Sequence, residues 1–377
     1  MTVIVTDAKY RAAVAAVRSL ARAGHTVVLT QTALDSDKII PAFNSVYANE
    51  TVLFDCSADD EIYKEKLIEL CKKYDTPILF PIGAKTLSLI AENKDEFSLV
   101  SKFTLPNTDV LDLANDKEKV RLAAKKCGIA VPKTYTNGEI PTEFPVIIKP
   151  RCGEKFGLSA KDRYVIVNSP KAYKSAYEKM EKYGGDPIVQ GLVVGQGVGI
   201  SLLMNNGKAL SAICHKRIRE YPQSGGPSAC CESFYDEKLV RASEKLLASM
   251  HFNGFAMVEY KCSKDENYLL EINPRIWGSF PLTEKSGATF ADDYVKLSSG
   301  EDIIHPLDNY KCKVRMNFVL SDLAACLDLM RHGRLISAAG GLFDIITLRA
   351  KDALRDKNDP EVLKSYYKLK LKRGDDK

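Results

Sequence analysis

The chain has 377 residues, of which 45% are hydrophobic and 27% are charged, and its formal net charge is +5 at pH 7. A chain of this length can bury large cores and should form about two or three domains. The small net charge gives no reason to expect a nucleic-acid or membrane partner. The ten cysteines include no CxxC pair, which favours reduced thiols over a zinc site or a disulfide framework.

The first residues lack the features of a targeting signal. Residues 1–5 form a short apolar run that is cut off by Asp7, whereas a signal peptide needs a longer apolar region. No segment approaches the ~20 consecutive apolar residues that span a bilayer. We therefore expect a soluble, cytoplasmic protein.

The first hundred residues alternate between strand and helix patterns. Residues 3–6 predict a buried strand, and apolar residues recur at helical spacing over residues 12–20. Further strands are predicted over residues 26–30 and 77–81. This alternation predicts a parallel sheet with crossover helices. The first strand-to-helix turn, residues 6–11, contains no glycine, so we do not expect an NAD site there.

A break near residues 104–107 separates this first region from a central one. A helix is predicted from Asp116 to Lys126, and residues 145–149 form an apolar strand that ends in a lysine. From Gly195 to Cys214 the pattern is mainly β, with a turn at residues 205–207. After about residue 300 the pattern becomes mostly helical.

The most informative segment is residues 270–275, Leu-Glu-Ile-Asn-Pro-Arg, which follows Glu259 across a turn at residues 263–267. Glu259 and Glu271 should project from neighbouring strands of this hairpin. Carboxylate and amide oxygens suit Mg²⁺, which takes its other ligands from substrate phosphates. Arg275 could meet charge on a transferring phosphoryl group. The segment therefore suggests Mg-ATP chemistry, although position alone leaves open a pair of surface glutamates bonded to basic neighbours.

From about Asn107 to Gly300 the sequence resembles the ATP-grasp superfamily, and within it the carbamoyl-phosphate-synthase-like group. The motifs that carry the resemblance occur in the expected order: Asp116-Lys117, Gly128-Ile129 with Pro132, Ile148-Lys149-Pro150 and Glu271-Ile272-Asn273-Pro274-Arg275. The resemblance implies an α/β protein that is α+β in its central domain. It places a preATP-grasp, Rossmann-like domain at residues 1–105 and a two-lobed ATP-grasp domain at residues 106–300. The lobes are expected at about 106–188 and 189–300, and residues 301–377 form the C-terminal, mostly helical region.

The resemblance also assigns roles to individual residues. It implies that Glu259, Glu271 and Asn273 are Mg²⁺ ligands. It implies contacts to the phosphates or the adenine of ATP from a larger set: Lys117, Lys149, Gly153, Lys155, Gly157, Gln190, Gly191, Leu192 and Val193. Of these, the loop from Gly153 to Gly157 also fits a plain surface turn, and the segment from Gln190 onward also fits an edge strand.

A basic strand is predicted over residues 215–220, where His215, Arg217 and Arg219 share one face because side chains alternate. The resemblance implies that Arg217 reaches the transferring phosphate, so we expect Arg217 and Arg275 to be catalytic. Arg219 is a candidate for binding a substrate carboxylate. A mobile loop that caps the acceptor is expected to contribute three more substrate contacts: Gly225, Gly226 and Ser228.

The reaction implied by the resemblance is ATP-dependent carboxylate–amine ligation through an acyl phosphate, with release of ADP and phosphate. The expected cofactors are ATP and Mg²⁺, with Mn²⁺ as an alternative ion. The expected partners are a small carboxylate and an amine, without nucleic acid or membrane, and a homodimer is left open. Residues 276–281 contain no carboxylate, which disfavours bicarbonate as the substrate. Carbamoyl-phosphate-like chemistry through carboxyphosphate and a non-catalytic nucleotide-binding module remain as alternatives. Trp277 is expected either to wall the acceptor pocket or to pack in the core.

Overall fold

The structure is a computed structural model that describes residues 1–136, 139–153, 158, 162–223 and 225–375, with side chains described up to Leu371. The described chain contains three β-sheets, of four, seven and four strands. Among the helices described, none is both long enough and apolar enough to cross a membrane. The mixed α/β class predicted from the sequence is confirmed.

The first sheet is parallel, with strand order β3-β2-β1-β4. Its strands are β1 (Thr2–Val5), β2 (Thr26–Thr32), β3 (Glu50–Phe54) and β4 (Ile78–Phe80). The accompanying helices are α1 (Arg11–Arg22), α2 (Glu61–Lys72), α3 (Ala84–Glu92) and α4 (Lys94–Ser98). Val3, Ile4 and Val5 are each 0% exposed, as expected for a strand that helices cover on both faces. The predicted parallel sheet is confirmed.

A buried carboxylate lies at the glycine-free turn after β1. Asp7 accepts hydrogen bonds from the Gly83 amide and the Thr86 hydroxyl, both at 3.0 Å. Gly83 is required at this contact, because a Cβ there would lie 2.6 Å from Oδ1 of Asp7. A carboxylate in this position would repel a pyrophosphate.

The small sheet has strand order β5-β8-β6-β7. Its strands are β5 (Thr134–Tyr135), β6 (Val146–Lys149), β7 (Val165–Val167) and β8 (Ile188–Gly191). The helices near it in sequence are α5 (Thr108–Asn115), α6 (Lys117–Lys126) and α7 (Pro170–Glu181). The predicted helix from Asp116 begins one residue later, because the Asp116 side chain caps α6 by accepting from the amides of Glu118 and Lys119.

The large sheet has strand order β13-β12-β9-β10-β11-β14-β15, antiparallel except for the last pair. Its long strands are β9 (Gln196–Asn205), β10 (Lys208–Glu220), β11 (Ser228–Phe234), β12 (Gly254–Cys262) and β13 (Asn267–Asn273), and α8 (Glu237–Ser249) lies between β11 and β12 in sequence. The predicted turn between β9 and β10 is confirmed. Asn206 and Gly207 both have positive φ, +48° and +79°, which suits a tight hairpin turn.

The C-terminal region contains more than helices. Its elements, with those just before it, are α9 (Pro281–Ser286), α10 (Phe290–Ser299), β14 (Arg315–Asn317), α11 (Val319–Arg331), α12 (Leu335–Ile346), β15 (Lys351–Asp352) and α13 (Pro360–Asp375). The two short strands extend the large sheet beyond β11. Sequence reasoning missed them because two or three residues carry no periodic signal.

An aromatic cluster joins the first sheet to the large one. The Phe80 ring from β4 lies 5.6 Å from the Phe255 ring of β12, and Tyr294 stacks on Phe255 at 4.9 Å. Trp277 is 1% exposed and its ring contacts Phe280 at 5.3 Å. Trp277 therefore packs in the core and does not wall an acceptor pocket.

Candidate active site

Three oxygen-bearing side chains meet on β12 and β13. Glu259 lies directly opposite Glu271 in the antiparallel register, and Asn273 shares a face with Glu271 because it is two residues further along the strand. The Asn273 amide donates to Oε1 of Glu259 at 3.1 Å. The structure therefore brings the predicted metal-binding trio together. Two like charges in direct opposition destabilise a sheet unless cations compensate them.

Cationic side chains surround these carboxylates. Nζ of Lys117, at the start of α6, lies 3.2 Å from Oε2 of Glu271. Nη2 of Arg217, on β10, donates to Oε2 of Glu259 at 2.6 Å. Lys149 ends β6 and is only 9% exposed. The small sheet, α6 and the large sheet thus each supply charge to one cluster.

Burial and neighbouring charges shift the pKa values of this cluster. Burial lowers the pKa of Lys149 to about 8; Glu271 opposes this shift and Lys117 adds to it. Burial raises the pKa of Glu259, because Arg217 only partly offsets it and Glu271 repels the charge. For Glu271 the effect of burial is outweighed by Lys117 and Lys149, which lower its pKa. The two carboxylates are therefore electrostatically unequal.

The trio fits a hard divalent cation by its donor chemistry. Two carboxylates and one amide are a small set of oxygen donors, which suits an ion that takes its remaining ligands from phosphate and water. The described residues contain no group of three or more His, Cys, Asp or Glu side chains arranged to hold a metal, and this site too has only two carboxylates. The fit of Glu259, Glu271 and Asn273 to Mg²⁺ therefore rests on shared coordination with a phosphate-bearing substrate.

The three basic residues of β10 that the sequence placed on one face, His215, Arg217 and Arg219, have different surroundings in the structure. His215 is 2% exposed, and its Nε2 lies 3.3 Å from Oγ of Ser279. Burial lowers the pKa of His215 to about 3, and the charge of Arg217 acts in the same direction. His215 is therefore a neutral side chain beside Arg217.

The structure contradicts the expected substrate role of Arg219. The register of β10 against β11 shifts between Arg217 and Arg219, as at a β-bulge, which can re-aim a side chain. Nε of Arg219 lies 2.6 Å from Asp322 and Nη1 lies 2.9 Å from Asp344. Two carboxylates of the same chain bind this buried guanidinium, so it is not available for a substrate carboxylate.

Two glycines of β9 make room for the cluster. β9 lies between β10 and β12. A Cβ on Gly199 would lie 2.3 Å from Cε1 of His215, and one on Gly197 would lie 2.9 Å from Cδ of Arg217. Side chains of β10 therefore reach across β9 towards Glu259. Sequence reasoning missed this role, although alternating glycines inside a strand indicate a close approach of other groups.

The predicted adenine segment lies where β8 of the small sheet leads into β9 of the large sheet. Gln190 is 4% exposed, and its amide donates to the Thr134 hydroxyl at 3.2 Å. The backbone amides of Gly191 and Leu192 donate to carbonyl groups of the chain, at 2.8 and 3.1 Å. Val193 follows, half-buried, at the same junction.

The remaining predicted residues fall around this cluster or outside the described chain. Gly153 lies two residues after Arg151. Nε of Arg151 donates to the two carboxylate oxygens of Asp116 at 2.8 and 2.9 Å, an ion pair that sequence reasoning missed. Lys155 and Gly157 lie outside the described residues. Nη1 of Arg275 donates to the Ile276 carbonyl at 3.0 Å.

The loop from β10 to β11 reaches the small sheet. A Cβ on Gly225 would lie 2.8 Å from the Tyr164 hydroxyl, which directly precedes β7. A Cβ on Gly226 would lie 2.0 Å from the Tyr221 carbonyl, so the loop folds tightly on itself. The Ser228 hydroxyl donates to the Cys230 carbonyl at 3.1 Å. The predicted capping loop therefore contacts the residue next to β7.

Comparisons with known proteins agree with this fold. A family model described as "ATP-grasp in the biosynthetic pathway with Ter operon" matches residues 186–318. D-alanine–D-alanine ligase from Fusobacterium nucleatum is 26% identical over 188 residues, which are 46% of this chain and 61% of that enzyme. The match thus spans less than two thirds of that relative's length.

Two solved structures share the fold. The biotin carboxylase domain of Hydrogenobacter thermophilus 2-oxoglutarate carboxylase, a complex with MgADP, ADP and bicarbonate, superposes with a TM-score of 0.61 at 15% identity, covering 83% of this chain and 73% of that chain. L-amino acid ligase from Bacillus licheniformis gives a TM-score of 0.54 at 16% identity, covering 79% and 73%. The family match at residues 186–318, the similar D-alanine–D-alanine ligase and the shared fold all agree with the resemblance to the ATP-grasp superfamily found in the sequence.

Proposed function

We propose that the protein is an ATP-dependent carboxylate–amine ligase that forms an amide or peptide-like bond and releases ADP and phosphate. The observation that carries this proposal is the cluster of Glu259, Glu271 and Asn273 with Lys117, Lys149 and Arg217 around it. The names of the similar D-alanine–D-alanine ligase and L-amino acid ligase support ligation of an amine to a carboxylate. A cytoplasmic location, where ATP is abundant, accompanies this proposal.

In this proposal the nucleotide binds between the lobes at residues 106–188 and 189–300. Glu259, Glu271 and Asn273 would hold Mg²⁺, with Mn²⁺ as an alternative ion. A divalent cation there would neutralise phosphate charge and polarise the transferring phosphoryl group. The adenine would lie against the junction at residues 190–193, with Gln190 and Leu192 beside it.

The cationic side chains bind and orient the phosphates in this proposal. Lys149 and Lys117 act as point charges towards them. With a pKa of about 8, Lys149 is mostly protonated at pH 7. Arg217 would exchange its carboxylate partner Glu259 for the transferring phosphoryl group, and Arg275 would add a second guanidinium. The protein then positions an acid and an amine for attack on the acyl phosphate, and no nucleophilic side chain is needed.

A bicarbonate-activating reaction through carboxyphosphate is the second candidate, because one structural neighbour is a complex with bicarbonate. The segment after Arg275 argues against it. Ile276, Trp277 and Phe280 are at most 3% exposed, and the Ser279 hydroxyl lies 3.3 Å from the His215 ring. This segment therefore presents no carboxylate to handle bicarbonate, and an organic acid is the favoured substrate.

The experiment that tests the proposal is a screen of acid–amine pairs for Mg²⁺-dependent ADP release, followed by mass spectrometry of the product. Glu271→Gln should reduce ADP release by ~10²–10³, the usual cost of losing a group that stabilises transition-state charge. Glu266→Gln is the matched control, because Glu266 is exposed in the turn of the same hairpin and should leave turnover unchanged.

Each outcome of this screen has a defined meaning. Undiminished turnover in Glu271→Gln would refute the metal assignment. ADP release stimulated by bicarbonate and by no organic acid would favour the carboxyphosphate reaction. Binding of Mg-ATP without turnover across the whole panel would instead favour a nucleotide-binding module.

A further inference from the structure

α12 has its charged and apolar faces in the opposite orientation to that of a normal surface helix, and α11 shares part of this pattern. The one charged residue of α12 is Asp344, and it is 2% exposed because it binds Arg219 and Arg315. On α11, Asp322 is 0% exposed and also binds Arg219. A surface helix normally turns its charged residues to water and its apolar residues inward.

The outward face of α12 is apolar, whereas that of α11 combines exposed leucines with the exposed Arg331. Ile336 is 91% exposed, Ile346 78% and Phe343 58%. We refer to α11 and α12 together as the helical hairpin. The exposed apolar side chains on the helical hairpin and just after it are Leu320, Leu327, Met330, Leu335, Ile336, Phe343, Ile346 and Leu348. We call this set the hairpin patch. α12 is therefore apolar on almost its whole circumference, a pattern typical of a buried helix.

The summed exposed surface of the hairpin-patch side chains is comparable to the apolar part of a standard interface. The exposed fractions of its side chains add up to about five whole side chains, or ~300–600 Å² of apolar surface at ~60–120 Å² each. One partner in a standard interface buries ~800 Å², of which ~60% is apolar, so ~480 Å² is needed. The patch also equals the largest apolar patch on a typical monomer, which is often functional.

We propose that the occupant of the hairpin patch is a second copy of this chain, with α12 packed antiparallel against α12 of the partner subunit. A twofold interface must be complementary to itself. With the axis between Ala339 and Gly340, Ile336 faces Phe343 of the partner subunit, and Ala339 faces Gly340 of the partner subunit. Large side chains thus flank a pair of small ones symmetrically, which allows the helices to approach closely.

Gly340 supports this arrangement. Glycine inside a helix is destabilising relative to alanine, and a Cβ at Gly340 would have no atom within 4 Å in its own protomer. Gly341 differs, since a Cβ there would lie 2.5 Å from Sγ of Cys326. The fold of one protomer therefore requires Gly341 but not Gly340, whereas the second copy makes use of Gly340.

The test is the mass of the full chain in solution, measured by analytical ultracentrifugation over a range of concentrations. The protomer has a mass of 41.8 kDa, and we expect a species of twice that mass. Ile336→Glu should shift the protein to the protomer mass. Ile304→Glu is the matched control, because Ile304 is also 91% exposed and lies outside the patch, so it should remain dimeric.

A second variant keeps the test decisive if Ile336→Glu fails to fold. Gly340→Cys adds a thiol next to the proposed axis, and mild oxidation should link two protomers through it, whereas Leu99→Cys, at an exposed position elsewhere, should not. A wild-type protein of protomer mass at every concentration would overturn the proposal. A dimer that persists in Ile336→Glu would also overturn it. A monomer that binds anionic phospholipid vesicles through the hairpin patch, as shown by co-flotation, would overturn it as well. Nucleotide binding should persist in Ile336→Glu, so the outcome is independent of the proposed activity.

Discussion

Replacing Arg219 by methionine separates a structural role from the substrate role that the sequence suggested. Methionine retains much of the apolar volume of the side chain and removes the guanidinium. In the folded protein, Arg219 binds Asp322 through Nε at 2.6 Å and Nη2 at 2.9 Å, and Asp344 through Nη1 at 2.9 Å. The substitution therefore removes three charge-assisted hydrogen bonds from a buried site.

Asp322 and Asp344 lose different numbers of hydrogen bonds in this variant: two at Asp322 and one at Asp344. Asp344 still accepts from Arg315 at 2.8 and 2.9 Å. Asp322, which is fully buried, retains the neutral Asn317 amide at 3.0 Å. Breaking a buried ion pair on one side costs ~3–5 kcal/mol, and we assign most of that loss to Asp322. The free energy of unfolding should fall by ~3–5 kcal/mol.

The assay is urea unfolding of Arg219→Met beside Arg241→Met. Arg241 is a suitable control because its side chain is 57% exposed and binds glutamates on the same helix, so its loss should change stability by ~0.5 kcal/mol or less. Arg219→Met/Asp322→Leu should recover part of the loss, since no unpaired charge remains at Asp322. Unchanged stability of Arg219→Met, together with a raised KM for the acid substrate, would restore the substrate role and refute this reasoning.

Two further predictions concern the site itself. Because burial lowers the pKa of Lys149 from its ordinary value of 10.5 to about 8, Lys149 loses its proton as pH rises through 8, and calorimetry should show weaker Mg-ATP binding above pH 8. Lys149→Arg should remove this pH dependence, and a flat wild-type profile would contradict the assignment. Gly199→Ala places a Cβ 2.3 Å from the His215 ring, so thermal unfolding should show a loss of ~1–3 kcal/mol from overpacking. Gly278→Ala, with no atom within 4 Å of its Cβ position, is the control, and equal stability of the two variants would refute the proposed contact.

The proximity of Glu259, Glu271 and Asn273 could be predicted because local geometry brings them together. Glu271 and Asn273 are two residues apart on one strand, so they share a face by the pleat alone. A short turn after β12 brings β13 back alongside it, so that Glu271 lies opposite Glu259. The proposed role of Lys149 required more than local geometry: a lysine at the end of an apolar strand is normally solvated, and only the order of the motifs indicated that role.

Arg219 shows why the same reasoning failed elsewhere. Its partners Asp322 and Asp344 are 103 and 125 residues away in sequence, and nothing local distinguishes it from Arg217. Simple alternation placed both on one face, whereas a register shift separated them. The helices α11 and α12 are a related case. Asp322 and Asp344 face inward because the large sheet places Arg219 and Arg315 beneath them.

The alternating first sheet, the β-rich centre and the carboxylate pair of β12 and β13 could be predicted because each follows from spacing within one or two elements, and the order of the motifs carried the resemblance to the ATP-grasp superfamily. The sequence did not reveal which cation pairs with which carboxylate, where Trp277 packs or which helix faces remain uncovered; these features are seen in the folded chain. The physical reason is that these features depend on contacts between residues far apart in the chain. Such contacts are set by the packing of whole sheets and helices, which local patterns do not encode.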